Sequence, residues 1–404
     1  MTQAPVHAHP GPLRAFTGQP SGSLVVLAPR RSPPVPAPAT NTDHSITVLT
    51  STGFRELEAA DYAASVAHLR PDAAVGMADV PAQRAGKNRA PKMAHRTELW
   101  LGALLSRTAG AVPVLAPVLP VSLEVQRLYF QTLEERVAEI AGLVFYDSSM
   151  AAGGEEEGIP ATLDGLLRVT VDEIRNPHRL LQAIGWGADL VTLVLPTEAT
   201  DAGIALAFEF PGELEEQEQQ QQQQQHQAGR RLGWDLWSEP QMATDTGPLV
   251  DGCSCYACRR HHRAYVSHLL AAKEMTAWVL LQIHNVHVID RFLTGARLSI
   301  GRGTFERDVV RFAQQYEAEM PAKTGEGPRS VFSKPVDVWV LTGEDYAVTS
   351  SGRRRDRRGI RRRLEGLEAT SRRSWARRLV DSNPRTGVCR LNGSVFSLSL
   401  SMFP

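Results

Sequence analysis

The 404-residue sequence predicts a mixed α/β fold built around a parallel sheet. From Ser45 onwards, short strand-like runs alternate with amphipathic segments of helical period, which is the pattern of strand–helix–strand units. The connections between these segments are short, and the sequence has no Gly-x-Gly-x-x-Gly turn typical of a doubly wound dinucleotide-binding sheet. This many units in roughly 290 residues favours a (β/α)₈ TIM-type barrel over an open sheet.

The predicted elements follow one another between residues 45 and 196. Each strand is a short apolar run, and each helix carries apolar residues on one face. We expect strands at Ser45–Thr50, Asp72–Asp79, Val112–Leu119, Gly142–Asp147, Leu166–Val171 and Ala188–Pro196. We expect helices at Leu57–Leu69, Met93–Ser106, Leu123–Ile140 and Pro177–Ile184.

Three segments of biased composition divide the chain. Residues 1–42 are rich in Pro and Ala and are expected to be extended or disordered, except for a strand at Leu24–Ala28. Residues 213–227 form a Gln-rich run, which predicts a solvated insertion within a barrel spanning 43–330. Residues 331–404 form an Arg-rich tail with 15 Lys or Arg against 7 Asp or Glu. This tail is either a phosphate-binding segment or a disordered appendage.

Overall charge and hydropathy exclude several classes of protein. Lys and Arg together number 44, as do Asp and Glu, so a globally basic nucleic-acid coat is excluded. No apolar run reaches the roughly 20 residues of a membrane span, and the N-terminus lacks the pattern of a secretory signal. We therefore expect a cytoplasmic protein.

The strongest chemical signal is a cluster of cysteines. Cys253, Cys255 and Cys258 lie within six residues, a spacing that suits one thiolate-bound metal ion better than a disulfide framework. A fourth ligand is still required. From the spacing alone, the nearby pair His261 and His262 and the more distant His284 are equally good candidates. The segment 259–282 between them is expected to be one continuous helix.

Residues 247–285, which contain this cluster, resemble the zinc segment of the tRNA-guanine transglycosylases. That family has the pattern Cys-x-Cys-x-x-Cys-x25-His, and the spacing from Cys258 to His284 fits it. The resemblance implies one structural Zn²⁺ held by Cys253, Cys255, Cys258 and His284, within a zinc-binding subdomain on a TIM-type barrel. A weaker likeness runs from Leu13 to Arg329. The family's strands before Thr50 are short or missing here, which leaves open whether the barrel is complete at its N-terminus.

The resemblance also locates the positions of the family's catalytic carboxylates. These enzymes exchange a tRNA guanine with the help of a nucleophilic Asp and a second Asp acting as general acid and base. Thr192 stands at the nucleophile position and Thr50 at the acid–base position. Asp79 matches an Asp that binds the base in active members. The resemblance therefore implies that this chain has no catalytic residue of its own.

The loss of both carboxylates beside an intact zinc pattern is similar to the non-catalytic subunits of this family. The implied function is support of queuine insertion at the tRNA wobble position, in a heterodimer with a catalytic queuine tRNA-ribosyltransferase subunit. Two alternatives remain at this point. One is an active enzyme that uses a displaced carboxylate such as Asp189 or Asp201. The other is a stand-alone, zinc-stabilised RNA-binding protein.

Overall fold

The computed structural model describes residues 5–328 and 338–341. Within the first range it leaves out residues 21–22, 32–34, 38–39, 51–52, 81–85, 87, 153–157, 211–228 and 326. The predicted Gln-rich insertion and almost all of the Arg-rich tail lie outside the described residues. The chain divides into two compact units. The first comprises Met1–Glu173, Trp186–Thr192 and Trp339–Pro404, and the second comprises Ile174–Gly185 and Leu193–Val338.

The strands confirm the predicted parallel sheet. In order along the chain they are β1 Val26–Leu27, β2 Ser45–Thr50, β3 Gly53–Glu58, β4 Ala73–Val75, β5 Val114–Val118, β6 Gly142–Phe145, β7 Leu167–Ile174, β8 Leu190–Leu193, β9 Ile204–Leu206, β10 Gly233–Asp235 and β11 Val338–Leu341. The main sheet has the order β1-β4-β5-β6-β7-β8-β11. Its neighbours from β1 to β7 pair in parallel.

The helices follow the strands in the expected alternation. They are α1 Pro5–Ala8, α2 Leu13–Thr17, α3 Ala59–Leu69, α4 Ala90–Thr108, α5 Arg127–Glu135, α6 Pro177–Gly185, α7 Leu195–Asp201, α8 Tyr256–Arg260, α9 Arg263–Ala271, α10 Met275–Arg302 and α11 Phe305–Gln315. None of these described helices combines the length and the apolar character needed to cross a bilayer.

The sheet is buried on both faces, as parallel strands usually are. Every residue of β4, β5, β6 and β8 is buried. The buried Tyr62 hydroxyl of α3 donates to the carbonyl oxygens of Leu27 and Val75, at 3.1 and 2.6 Å. One side chain thereby fixes α3 against two neighbouring strands.

The N-terminal region departs from the sequence prediction. A strand does form within 24–28, as β1, and it pairs with β4 of the main sheet. The expectation that the rest of residues 1–42 is extended is wrong for α1 and α2, and Leu13 of α2 lies in the core. The physical reason is burial: Leu13, Val25 and Leu27 belong to the buried core cluster, and Val6 packs against that cluster.

A second difference is the hairpin formed by β2 and β3. Thr50 pairs with Gly53 at the end of this hairpin, and Gly53 has φ +107°, a conformation that glycine adopts without strain. The predicted helix therefore begins at Ala59, two residues later than expected. The predicted helix over 123–140 is also shorter, since α5 covers only nine of its residues.

The second unit contains the antiparallel pair β9–β10 and the helices α8 to α11. The single helix predicted over 259–282 is wrong, because the chain breaks twice. His262 caps α9 by accepting a hydrogen bond from the Tyr265 amide. Lys273 adopts φ +57° between α9 and α10. Helix α10 then runs for 28 residues and carries His284 on its buried face.

Candidate metal centre

The three clustered cysteines are positioned by a turn and a short helix. Gly252, with φ +74°, precedes Cys253. Cys255 is the N-cap of α8, and its Sγ accepts a hydrogen bond from the Cys258 amide at 3.4 Å. Cys258 lies on α8 itself, so the three sulfur atoms converge on one side of a compact loop.

His284 approaches these sulfur atoms from helix α10. Its Nδ1 lies 3.7 Å from Cys253 Sγ, 3.5 Å from Cys255 Sγ and 3.4 Å from Cys258 Sγ. All four ligand atoms lie within 4.8 Å of one another. Tetrahedral zinc, with bonds of about 2.3 Å to sulfur and about 2.1 Å to nitrogen, separates S from N by about 3.6 Å. The donor atoms therefore have the spacing that a single tetrahedral ion requires.

The orientation of the His284 ring is fixed by its second nitrogen. Nε2 lies 2.9 Å from the carbonyl oxygen of Leu206 on β9, and since a carbonyl can only accept, Nε2 carries the proton. Nδ1 is consequently the nitrogen that faces the thiols and would bind a metal ion, the arrangement found in metal-bound histidines. His284 has no exposed surface, so this orientation is held within the core.

Asn285 secures the same strand from the next position of α10. Its side chain accepts a hydrogen bond from the Leu206 amide and donates to the Ile204 carbonyl and to Thr200 Oγ1, all at 2.9 Å. Asn285 is fully buried. It therefore fixes the strand whose Leu206 carbonyl orients His284.

The thiols influence one another's ionisation. Hydrogen bonds from Cys255 and Cys258 lower the pKa of Cys253, and hydrogen bonds with Cys253 and Cys255 raise the pKa of Cys258. Burial lowers the pKa of His284, but hydrogen bonds with Cys253 and Cys255 outweigh it and raise that pKa to about 9. Thiolates are the form that binds a metal ion, and a bound cation would favour that form at this site.

The nearby histidines, His261 and His262, serve other roles. His262 Nδ1 accepts the Tyr265 amide at 3.1 Å, and the His261 ring stacks on Tyr265 with centroids 5.1 Å apart. Over the described residues, the group of Cys253, Cys255, Cys258 and His284 is the one that could hold a metal ion. Arg263, the residue after His262, forms an ion pair with Asp245.

The two threonines singled out by the sequence lie at strand ends in the first unit. Thr192 is the third residue of β8, is buried, and donates its hydroxyl to the Thr170 carbonyl of β7 at 2.9 Å. Thr50 ends β2, is also buried, and donates to the Gly53 carbonyl at 2.7 Å. Both hydroxyls therefore bond to the backbone of their own sheets.

Asp79 follows β4, and its side chain has no exposed surface. Its carboxylate accepts hydrogen bonds from Asn41 and Arg96, and its amide donates to Thr97 Oγ1. Sequence analysis identified Asp79 but neither Asn41 nor Arg96, because their proximity depends on the fold and no motif marks them.

The two displaced carboxylates that could have replaced the nucleophile are in structural settings. Asp189 Oδ2 accepts the Arg168 amide at 2.8 Å, which ties β7 to the start of β8. Burial and the charge of Glu198 raise the pKa of Asp201, while Lys323 lowers it. Asp189 is therefore engaged in a backbone contact, whereas Asp201 lies near Glu198 and Lys323.

Comparison with known proteins identifies the family to which this chain belongs. The family model described as queuine tRNA-ribosyltransferase matches residues 3–318, so the chain belongs to this family.

Among its relatives, the queuine tRNA-ribosyltransferase accessory subunit 2 of Schizosaccharomyces pombe is 34% identical over 333 residues, which cover 81% of this chain and 72% of the relative. The protein of that name from Xenopus tropicalis is 27% identical and covers 71% of this chain and 76% of its own length. A queuine tRNA-ribosyltransferase from Gloeobacter violaceus is 32% identical over 45% of this chain and 46% of its own.

Proposed function

We propose that this chain is the non-catalytic subunit of a queuine tRNA-ribosyltransferase. It pairs with a catalytic chain and supports the exchange of guanine for queuine at the wobble position of tRNA. The observation that carries the proposal is the buried Thr192, whose hydroxyl donates to the Thr170 carbonyl where an active member needs a carboxylate. The names of the accessory-subunit relatives from fission yeast and Xenopus support the same conclusion.

The chemistry excludes a simple substitution of Thr for Asp. A threonine hydroxyl becomes an effective nucleophile only beside a general base. Thr192 and Thr50 each donate to a backbone carbonyl, so neither hydroxyl has a basic side chain as its hydrogen-bond acceptor in these contacts. The proposed role is therefore that of a diverged (β/α)₈ TIM-type barrel, spanning residues 43–330, that no longer performs the chemistry.

We propose that Cys253, Cys255, Cys258 and His284 hold one Zn²⁺. Three thiolates and one imidazole complete a tetrahedral shell and leave no position for water or substrate, so the ion would be structural. The ion would join residues 252–258, here called the cysteine loop, to α10. Helix α10 is in turn joined to β9 through His284 and Asn285. The zinc segment would in this way stiffen the second unit.

An exposed apolar stripe on α10 is suited to the catalytic partner. Met275, Val279 and Ile283 follow one another at intervals of four residues, and their side chains are 58%, 53% and 39% exposed. One turn further, His287 lies 3.4 Å from Ser254 of the cysteine loop. A rigid helix that exposes aliphatic residues is typical of an interface with another protein. We propose that the stripe belongs to the heterodimer surface.

We propose that both chains are cytoplasmic. The proposed function is tested by co-expressing this chain with a catalytic chain of the same family. Co-expression should give a one-to-one complex that stays together during gel filtration at micromolar concentration. The complex should also bind cognate tRNA with a steeper salt dependence than the catalytic chain alone, because more phosphates are neutralised. Separate elution of the two chains, or binding curves with identical salt dependence, would contradict the proposal.

A further inference from the structure

The carboxylate of Asp79 is held by the chain itself on both of its oxygen atoms. Asn41 Nδ2 donates to Oδ1 at 2.7 Å, and Arg96 Nη1 donates to Oδ2 at 3.1 Å. Arg89 lies further away, with Nη2 at 3.4 Å from Oδ1, and its side chain is 41% exposed. Because Asp79 is completely buried, the Asn41 and Arg96 bonds replace hydration that the carboxylate cannot obtain from solvent.

The segment Asn41–Asp43, here called the strap, contacts Asp79 through Asn41 and helix α4 through Asp43. Arg96 also donates from Nε to Asp43 Oδ1 at 2.9 Å, and Trp100 Nε1 donates to the Asp43 carbonyl at 2.7 Å. One guanidinium thus bridges a carboxylate beyond β4 and a carboxylate of the strap. The strap therefore has three hydrogen-bonded contacts that keep Asn41 against Asp79.

Two N–H donors side by side on a carboxylate are also what a guanine base offers. Guanine carries the N1–H and N2–H₂ donors on one edge, and a carboxylate accepts from both. Asn41 and Arg96 supply the same pair of donors from within the chain. A purine base could reach Asp79 only by displacing both, which would cost Arg96 one of its two carboxylate partners and leave Asp43 as the other.

We propose that the strap and Arg96 act as an internal substitute for a base, so that Asp79 serves the fold and this chain binds no guanine-type base. This inference deepens the proposed function, because it assigns a role to the binding residue that remains after the catalytic carboxylates are lost. Beyond β4, Asp79, Arg96 and the strap form an ion-paired network within the chain.

The first experiment measures guanine binding to the full chain by calorimetry, at guanine concentrations up to its solubility limit. The wild-type chain should show no binding with a Kd below about 100 µM. A wild-type Kd below that value that is lost in Asp79→Asn would overturn the proposal. The catalytic chain of the same family serves as the positive control.

The second experiment tests the ion pair without any base. Arg96→Met should raise the unfolding equilibrium constant at least about tenfold, because a buried carboxylate loses a charged donor. Arg89→Met is the matched control, and its change should stay below about threefold, since the exposed Arg89 makes only a long contact. Equal effects of the two substitutions would overturn the proposed role of Arg96.

Chemical complementation separates a specific guanidinium site from general destabilisation. Arg96→Ala should regain stability in about 10 mM methylguanidinium chloride but not in the same concentration of methylammonium chloride. Equal stability of the variant in the two salts would contradict the proposal that Arg96 takes the place of a base on Asp79. Assembly with the catalytic chain is measured on the same samples: failure to assemble refutes the proposed function, whereas guanine binding by the wild-type chain refutes only this inference.

Discussion

The metal-ligand group of the second unit and the strand ends of the first unit use buried polar side chains in opposite ways. Around Cys253, Cys255, Cys258 and His284, four donor atoms point at a common centre. Beyond β4 and at β8, the polar atoms of Asp79 and Thr192 bond to other groups of the same chain. The first arrangement leaves donor atoms converging on a space that an external ion could fill, whereas the second satisfies its buried polar atoms within the chain itself.

The largest expected effect is loss of the metal. The double substitution Cys255→Ala with His284→Ala should reduce bound zinc from one equivalent to nearly none, and should lower the free energy of unfolding by more than about 4 kcal/mol. Metal analysis and denaturant titration check both values. Ser254→Ala, next to the ligands and exposed, is the matched control and should keep its zinc. Full zinc retention by the double variant would contradict the assigned ligands.

The second prediction concerns the opposite region. Thr192→Asp should destabilise the fold by about 2–4 kcal/mol, since a buried carboxylate would face the Thr170 carbonyl. It should not confer base exchange, because Thr50 still lacks a carboxyl group. Thr192→Val removes only the hydroxyl and should cost about 1 kcal/mol. If Thr192→Asp proved as stable as the wild type, the strand end would be more open than the structure indicates.

An intermediate effect is expected at Asn285, which supports the metal group from outside the ligand set. Asn285→Ala removes three buried hydrogen bonds and should cost about 3 kcal/mol. Because Asn285 fixes Leu206, whose carbonyl orients His284, the variant should also release zinc faster to a chelator. Stopped-flow measurement of zinc release with a coloured chelator tests this coupling. An unchanged release rate would show that Asn285 stabilises only the fold.

The smallest change in stability is expected on the exposed stripe of α10. Val279→Arg should alter the free energy of unfolding by no more than about 0.5 kcal/mol, because more than half of the Val279 side chain is exposed to solvent. It should nevertheless abolish assembly with the catalytic chain. Val310→Arg, on an exposed position of α11, is the control and should leave assembly intact. Gel filtration of the mixed chains gives the answer for both variants.

The sequence predicted those features that depend on local pattern. The apolar runs around Val114–Val118 and Gly142–Phe145 are long enough to predict buried strands without tertiary information. The cysteine spacing likewise predicted a metal-ligand cluster, but local pattern left His261, His262 and His284 open. The choice of His284 came from the family resemblance, since only the folded chain brings α10 beside the cysteine loop.

Other features could not be predicted because they depend on contacts distant in the chain. Arg96 and Asn41 meet Asp79 across 17 and 38 residues, and no sequence pattern joins them. The break between α9 and α10 depends on Lys273 adopting a left-handed conformation, a position without the glycine that usually signals one. Hydrophobic periodicity alone therefore predicted one helix over 259–282, where the chain forms the end of α8, then α9, then the start of α10.

The most direct test of the proposed absence of catalysis in this chain is the exchange of labelled guanine into cognate tRNA. Three samples are compared at equal concentration: this chain alone, a catalytic family member alone, and the two together. We predict no incorporation by this chain alone and the highest rate for the pair. Incorporation by the isolated, zinc-loaded chain that disappears in Asp189→Asn or Asp201→Asn would contradict the account.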